Sequence, residues 1–357
     1  MKTKTEYSIL GLMSGTSLDG IDCALCSFIN AESWKFVIKK TKTIPYSNFW
    51  KKRLRLLHLK DISTIKDINL KYGQYLGKII NSFLNKETID FIASHGHTIF
   101  HQPENNYTLQ IGDGQIIANL TKNTTICDFR SLDVSLGGQG APLVTIGDLY
   151  LFPAYKYCLN LGGFANISIK NRNDITAFDI CPVNIVLNQL SKILGFDFDK
   201  NGDLAKSGQL NQSLLAKLNQ LEFYSKSAPK SLGREWIEKN ISPLMTNNIS
   251  IKDIMHTFCE HISIQIGKYL QDGKVLISGG GTYNNYLINR INYYSKSTII
   301  IPKKEIIDYK ESLIFAFLGL LKMRNEVNCL QAVTGARKNS SSGKIFFPQL
   351  RCKKIYK

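Results

Sequence analysis

A chain of 357 residues, 43% apolar and 20% charged, is long enough for two domains with a core each, and its composition is that of a soluble globular protein, not a disordered or fibrous one. A formal charge of +17 raises nucleic acid as a partner, but the lysines are dispersed along the chain without a DNA- or RNA-binding motif, so nucleic-acid binding is set aside. No apolar run reaches the length of a membrane span and the opening Met1-Lys-Thr-Lys-Thr-Glu6 lacks a signal-peptide core, which leads to the expectation of a cytoplasmic protein with no membrane partner.

The first organising stretch is 10–22, Leu10-Gly-Leu-Met-Ser-Gly-Thr-Ser-Leu-Asp-Gly-Ile-Asp22, between β-forming runs at 7–12 and 21–29. Asp19-Gly20 signals a tight hairpin turn, so the segment reads as strand, turn, strand. Gly15 and Gly20 allow close backbone approach or positive φ, while Ser14, Thr16 and Ser17 add hydroxyls. Successive N–H groups in such a turn form an anion-binding concavity. Asp19 and Asp22 are placed to hold a hydrated magnesium. A third strand at 34–40 completes a meander, and 48–60 reads as a helix. Within it the cluster Lys51-Lys-Arg-Leu-Arg55 alternates with leucines and reads as a solvated face.

Apolar residues at 65, 68, 72, 75, 76, 79, 80 and 83 give the 3.6-residue period of an amphipathic helix. A buried strand at 89–94 then runs into His95-Gly-His97-Thr98 and Phe100-His101-Gln-Pro103. Ligands of open α/β sheets gather beyond the carboxyl ends of strands, so these histidines are candidates for hydrogen bonding to a substrate rather than for a metal. Thr108 to Gly114 is strand and turn, and 115–120 a short helix. The strand at 125–130 delivers Arg130 beside the flexible run Leu136-Gly-Gly-Gln-Gly-Ala-Pro142, where its planar fork suits a carboxylate or phosphate.

Around Phe152-Pro153 the chain starts afresh. Residues 155–169, with Leu159-Asn-Leu-Gly-Gly-Phe-Ala-Asn-Ile167, repeat the strand, glycine turn, strand pattern, which suggests duplicated halves across a cleft, their turns holding opposite ends of a polyphosphate. The strand at 175–179 ends in Asp179, followed by Ile180-Cys-Pro-Val-Asn184 and a helix at 185–194, with Pro182 near its start where proline is tolerated. Phe198 to Asp203 lacks the distal glutamate of a calcium loop and reads as a surface turn. Lys230-Ser-Leu-Gly-Arg-Glu-Trp236 is a polar turn, 249–270 a long helix, and 274–281 a buried strand opening on Gly279, Gly280 and Gly281, where a base or sugar can approach flat. A final, nearly all-apolar helix at 311–324 places Glu311 at its N-terminus, favoured there by the helix dipole. The eight cysteines are scattered through apolar segments and read as reduced core thiols; Cys23 and Cys26 form a CxxC inside a strand with no second pair.

Together the strings Gly11-Leu-Met-Ser-Gly-Thr-Ser-Leu-Asp-Gly-Ile-Asp22, His95-Gly-His-Thr98, Gln110-Ile-Gly-Asp-Gly114, Asp128-Phe-Arg130, Gly137-Gly-Gln-Gly-Ala-Pro142, Asn160-Leu-Gly-Gly163, Gly279-Gly-Gly281 and Val333-Thr-Gly-Ala336 resemble the anhydro-N-acetylmuramic acid kinase family. The resemblance implies an α/β, two-lobed, actin-like ATPase (ribonuclease H-like) fold with duplicated mixed-sheet halves and an interdomain cleft. It places one lobe at 1–152, with 338–357 returning to it, and the other at 153–337. It implies ATP-dependent hydrolytic opening of a 1,6-anhydro bridge with phosphorylation of O6, with ATP and Mg2+ required. By resemblance Asp179 is the base. Gly15, Thr16, Ser17, Leu18, Asp19, Gly20, Ile21 and Asp22 meet the phosphates, with Asp19 on magnesium through water. Gly162 and Gly163 form the opposing phosphate turn, and Gly279, Gly280 and Gly281 receive adenosine. His97, Arg130 and Glu311 are assigned to the sugar, Arg130 to its lactyl carboxylate. A homodimer is compatible with the resemblance. Two departures stand out: His97 where many members have Gln, and Asp179-Ile-Cys-Pro-Val-Asn184 where many read Asp-Thr-Gly-Pro-Gly-Asn, which is expected to add bulk beside the aspartate. The alternatives carried forward are a sugar kinase with a changed acceptor and an ATP-binding regulator without turnover.

Overall fold

The computed structural model describes residues 4–15, 18–171, 174–228, 230–245 and 248–349. Its contacts separate into two units, one made of Met1–Leu151 with Tyr309–Lys357 and the other of Phe152–Asp308. Among the described residues twelve strands follow one another: β1 (Glu6–Ser14), β2 (Gly20–Asn30), β3 (Trp34–Pro45), β4 (Phe91–Gln102), β5 (Tyr107–Ile111), β6 (Thr125–Cys127), β7 (Tyr157–Leu161), β8 (Phe164–Asn171), β9 (Asp174–Pro182), β10 (Lys274–Ser278), β11 (Thr298–Ile300) and β12 (Lys344–Phe346).

In the first unit the sheet order is β12-β6-β4-β1-β2-β3, with β5 paired to β4. The strands β3, β2 and β1 form an antiparallel meander, and β4 and β6 continue from β1 in parallel. The second unit has the order β11-β10-β7-β8-β9, with β9, β8 and β7 antiparallel and β10 and β11 parallel. Each unit thus lays down a three-stranded meander and extends it with two parallel strands. That shared order is the duplication anticipated from the two glycine hairpins.

Four expectations about individual elements change. The first connection is not a two-residue turn at Asp19-Gly20: β1 stops at Ser14 and β2 begins at Gly20, with Asp19 tied down by the Tyr46 N–H donating to its carbonyl. The strand expected to end at Ser94 runs on to Gln102, because its second half finds a partner in β5 across the turn at Pro103–Asn105. His95 and His97 therefore lie inside a strand. The last long helix begins at Lys304, just after Pro302, not at Glu311, so Glu311 stands in its third turn and gains nothing from the helix N-terminus. The second unit closes at Asp308 and not at 337: residues from Tyr309 onward belong to the first unit.

The packing explains that last difference. A Cβ on Gly11 would lie 2.0 Å from the Ser312 carbonyl oxygen, and one on Gly319 would lie 2.7 Å from the Ala93 Cβ. Missing side chains thus let the Lys304–Met323 helix lie directly on β1 and β4, and residues 312–318 are almost wholly buried against that sheet. The same helix is pinned by a buried ion pair from Lys310 to Asp148, 2.7 Å apart. Removing either partner would strand a charge, at about 3–5 kcal/mol.

In the second unit the core gathers Leu159, Leu161, Ile180, Cys181, Val183 and Ile277 around the Ile251–Gly267 helix, itself started by Ser250, whose Oγ accepts from the Asp253 N–H at 3.1 Å. The seven cysteines among the described residues are all buried. Among the described residues no helix is long and apolar enough to cross a membrane.

Candidate functional site

In the first unit, Thr16 and Ser17 lie outside the described residues. Leu18 takes a left-handed φ of 62° and donates its N–H to the Gly15 carbonyl at 3.3 Å. Leu18 and Ile21 turn their side chains into the core, so only their main chain is left to meet a ligand. Gly20 has a packing reason of its own: a Cβ there would stand 2.5 Å from the Ile44 carbonyl oxygen. The fit of β2 on β3 therefore requires glycine here, whatever its main chain meets besides. Asp19 is exposed; Asp22 is half-buried and accepts from the Thr43 hydroxyl at 2.5 Å.

Beneath the loop runs a chain of buried polar groups. Ser14, the last residue of β1, is 2.5 Å from the Tyr46 hydroxyl and 2.8 Å from His97 Nδ1, and Tyr46 continues to the Tyr72 hydroxyl. Burial pushes the His97 pKa down to about 4, so the ring is neutral at physiological pH. Nδ1 of His97 is thus engaged with the last residue of β1, which leaves Nε2 as the ring nitrogen for the sugar contact expected from sequence.

Arg130 follows β6 and is half-buried. Its Nε and Nη2 donate to His95 Nε2 at 3.1 and 2.9 Å, and Nη1 donates to the Gly140 carbonyl at 2.5 Å. Gly140 is itself anchored: its N–H donates to Asp133 Oδ2 at 2.8 Å, while Asp133 Oδ1 accepts from Thr334 Oγ1 at 2.7 Å. The motif Val333 to Ala336 therefore serves the glycine loop that holds Arg130. Burial lowers the Arg130 pKa to about 10, opposed by the charge of Glu311. Glu311 is the solvent-open residue at the edge of an otherwise buried helix face.

In the second unit the glycines divide by cause. Gly279 takes φ 85° and ψ 164°, and a Cβ there would lie 2.5 Å from Asn160 Oδ1 and 2.9 Å from the Leu161 backbone; Gly281 is similarly pressed on Leu161. These two are glycine because β10 and β7 close on one another. Gly280 and Gly163 have no heavy atom nearer than 3.9 and 3.8 Å to such a Cβ, and Gly162 meets the end of the Asn160 side chain at 3.3 Å and the Phe164 carbonyl oxygen at an ordinary 3.6 Å. None of the three has a left-handed φ. Chain packing gives no strict reason for glycine at these positions. The two segments adjoin: Asn184, at the start of the Asn184–Ile193 helix, donates from Nδ2 to the Leu161 carbonyl at 3.1 Å and lies beside Gly280 and Gly281. Ser278 and Thr282, on either side of the triplet, keep buried hydroxyls without a hydrogen-bond partner among the described residues.

Asp179 sits on β9 directly before a bulge, since Ala165 pairs with Cys181 but Asn166 with Asp179, leaving Ile180 unpaired. Bulges re-aim side chains. Here the bulge sends both Ile180 and Cys181 into the core while Asp179 stays half-buried on the other face. The polar turn at 230–232 grips it: the Asp179 N–H donates to the Lys230 carbonyl at 3.1 Å and Oδ2 accepts from the Leu232 N–H at 2.9 Å. Burial raises the Asp179 pKa against that hydrogen bond. The bulk of Cys181 and Val183, expected beside the aspartate, lies wholly in the core instead, both side chains having no exposed surface.

Asn160 and Asn166 were missed from sequence. They oppose one another across β7 and β8, and Asn166 opposes Asp179, so the three side chains share one face. The signal was present: residues placed symmetrically about a Gly-Gly turn face each other in a hairpin. Among the described residues no group of three or more His, Cys, Asp or Glu side chains could hold a metal ion.

Residues 7–348 match the family model described as "Anhydro-N-acetylmuramic acid kinase". A curated relative of that name from Shewanella baltica (strain OS185) is 34% identical, the alignment covering 95% of this chain and 98% of the relative. One from Bacillus cereus (strain ATCC 10987 / NRS 248) is 32% identical, covering 96% and 100%. Among solved structures, the activator of the 2-hydroxyisocaproyl-CoA dehydratase from Clostridium difficile with bound ADPNP is a distant likeness, with a TM-score of 0.42 at 13% identity over 89% of this chain and 97% of that one.

Proposed function

The chain belongs to the anhydro-N-acetylmuramic acid kinase family, and from that premise we propose that Asp179 is the base of the hydrolytic step, with the glycine turns of the two units serving ATP. The protein is a phosphotransferase that uses ATP on anhydro-N-acetylmuramic acid in cell-wall recycling. In the reaction implied by its family, water adds at C1, the 1,6-anhydro bridge opens, and O6 takes the γ-phosphoryl group, giving N-acetylmuramic acid 6-phosphate and ADP.

The observation that carries the assignment is the setting of Asp179. One oxygen is fixed by the Leu232 N–H, and Oδ1 carries no protein hydrogen bond among the described residues. A carboxylate held by one oxygen and open at the other can accept a proton from water, and its raised pKa brings it nearer the operating pH of a general base. Asn160 and Asn166 on the same face supply amide groups that can orient that water or a sugar hydroxyl. An inverting attack needs a base on one side of the ring only when the departing oxygen is captured by phosphoryl transfer instead of by an acid, which accounts for a single carboxylate.

The turn glycines Gly162, Gly163 and Gly280, unexplained by packing, are assigned to close approach of phosphate and adenosine, and the loop from Gly15 to Asp22 to phosphate. The unpartnered Ser278 and Thr282 hydroxyls, beside the triplet, fit a nucleotide rich in acceptors. Magnesium, which is usually held by one or two carboxylates together with substrate phosphates and water, would rest on Asp19 and Asp22, neutralising phosphate charge. The half-buried Arg130 and solvent-open Glu311 are assigned to the sugar. A changed acceptor has no support in the site, since Cys181 and Val183 point away from it. A cytoplasmic location is proposed on the family's metabolic role.

The test is product analysis by mass spectrometry after incubation with the anhydro sugar, ATP and ¹⁸O-water. One labelled oxygen at C1 and one phosphate at O6 per ADP released is expected. Phosphorylated sugar without label at C1 would refute the hydrolytic role of Asp179.

A further inference from the structure

Arg130 has an unusual set of partners. A half-buried arginine ordinarily neutralises itself against a carboxylate, yet among the described residues Arg130 makes no ion pair, and Glu311 reaches it only through its longer-range field. Its hydrogen bonds go instead to neutral acceptors, His95 Nε2 twice and the Gly140 carbonyl once. His95 can accept at Nε2 because Nδ1, 3.0 Å from the Gly96 carbonyl oxygen, must carry the proton to bond there. The ring is 4% exposed and lies 4.7 Å from the Phe315 ring, which fixes its plane. Burial and the adjacent guanidinium hold its pKa well below the ordinary histidine value, so the accepting lone pair persists.

Three of the five N–H donors of the guanidinium are thereby used, and the positive charge is not. Two donors and an unspent charge are what a carboxylate takes from arginine in a bidentate pair. N-acetylmuramic acid carries one carboxylate, on its lactyl ether.

We infer that His95 is a positioning residue: by accepting from Nε and Nη2 it holds the Arg130 guanidinium so that its two remaining donors meet the lactyl carboxylate, and selection of an acidic over a neutral anhydro sugar depends on it. The inference rests on the assignment of Arg130 to the sugar.

The test compares kcat/KM for 1,6-anhydro-N-acetylmuramic acid and for 1,6-anhydro-N-acetylglucosamine, the same sugar without the lactyl group, at saturating ATP. In His95→Leu the preference for the acidic sugar falls at least about tenfold, the scale of a charge-assisted hydrogen bond, through KM for that sugar. The KM for ATP stays within about twofold. His95→Gln, which offers an acceptor at similar reach, restores most of the preference. Unchanged preference in His95→Leu overturns the inference. Arg130→Ala separates the two levels: if it keeps the preference, the assignment of Arg130 to the sugar is itself wrong, and if it loses the preference while His95→Leu keeps it, only the positioning role fails. Should His95→Leu melt below assay temperature, His95→Ala takes its place: a preference that falls in that folded variant supports the role, and an unchanged preference overturns it.

Discussion

Alanine substitution at Gly279 and Gly163 separates glycines that the chain needs from glycines that a ligand needs. At Gly279 the new methyl would stand 2.5 Å from Asn160 Oδ1 and 2.9 Å from the Leu161 carbonyl, at a φ of 85°. The backbone strain is worth about 1–3 kcal/mol. Overpacking adds about 1–3 kcal/mol. A combined loss of roughly 4 kcal/mol in a unit of this size lowers its melting temperature by about 8–16 °C. At Gly163 the nearest atom is 3.8 Å away and φ is outside the left-handed region, so Gly163→Ala should melt within a few degrees of wild type, on the scale of about 0.5 kcal/mol. Its effect should fall on nucleotide, raising KM for ATP about tenfold or more where a methyl stands in the path of a phosphate. Scanning calorimetry and an ADP-release assay read the two effects separately. A Gly163→Ala protein that melts as low as Gly279→Ala, or that keeps the wild-type KM for ATP, would refute the division.

Asp179→Asn should bind ATP normally and lose at least about a hundredfold in kcat, the low end for removing a general base, measured by sugar-dependent ADP release; near-normal turnover would remove Asp179 from the mechanism. Because burial raises the Asp179 pKa, the acidic limb of kcat/KM should lie above the ordinary aspartate value of about 3.9, and should vanish from the residual activity of Asp179→Asn. His261, fully buried between Asn219 Oδ1 and the Tyr224 hydroxyl, has its pKa pushed down to about 3 by burial. The folded state then binds fewer protons than the unfolded one between about pH 3 and 6.5. Stability is full above that window and falls as pH drops through it, by about 2 kcal/mol at pH 5 from this residue. Denaturant melts at pH 7 and pH 5 should show the loss, and His261→Phe should flatten it; an equal pH dependence in the variant would contradict the assignment.

Periodicity and turn chemistry carried the sheets well: the meander after the first loop, the amphipathic helix now seen at Ile62–Leu84 and the restart near Phe152 are all local patterns. Duplication was legible because each half opens with the same strand and glycine motif. What local pattern does not encode is which distant surface a glycine or a polar group will meet. Neither the packing of Gly20 on Ile44 nor that of Gly11 on Ser312 is written in the strings around them. Cys181 and Val183 changed faces because a bulge, a two-strand property, reset the alternation at Ile180. Glu311 was misplaced by taking the densest apolar run as the whole helix and overlooking the start after Pro302. Asp133, which no motif flagged as a hub, emerges only once the segment at 329–334 folds back onto it.

The discontinuity of the first unit has a consequence for biosynthesis. Its β1 and β4 are made early, but the helix that covers them leaves the ribosome only after the whole of Phe152–Asp308 has been translated. Until then the groove emptied by Gly11 and the apolar flank around Ala93 await their lid, while the continuous second unit has every strand of its own sheet at hand. A released chain truncated before residue 309 would therefore offer a finished C-terminal body tethered to a sticky, half-dressed N-terminal one, the form in which chaperones would be expected to find it.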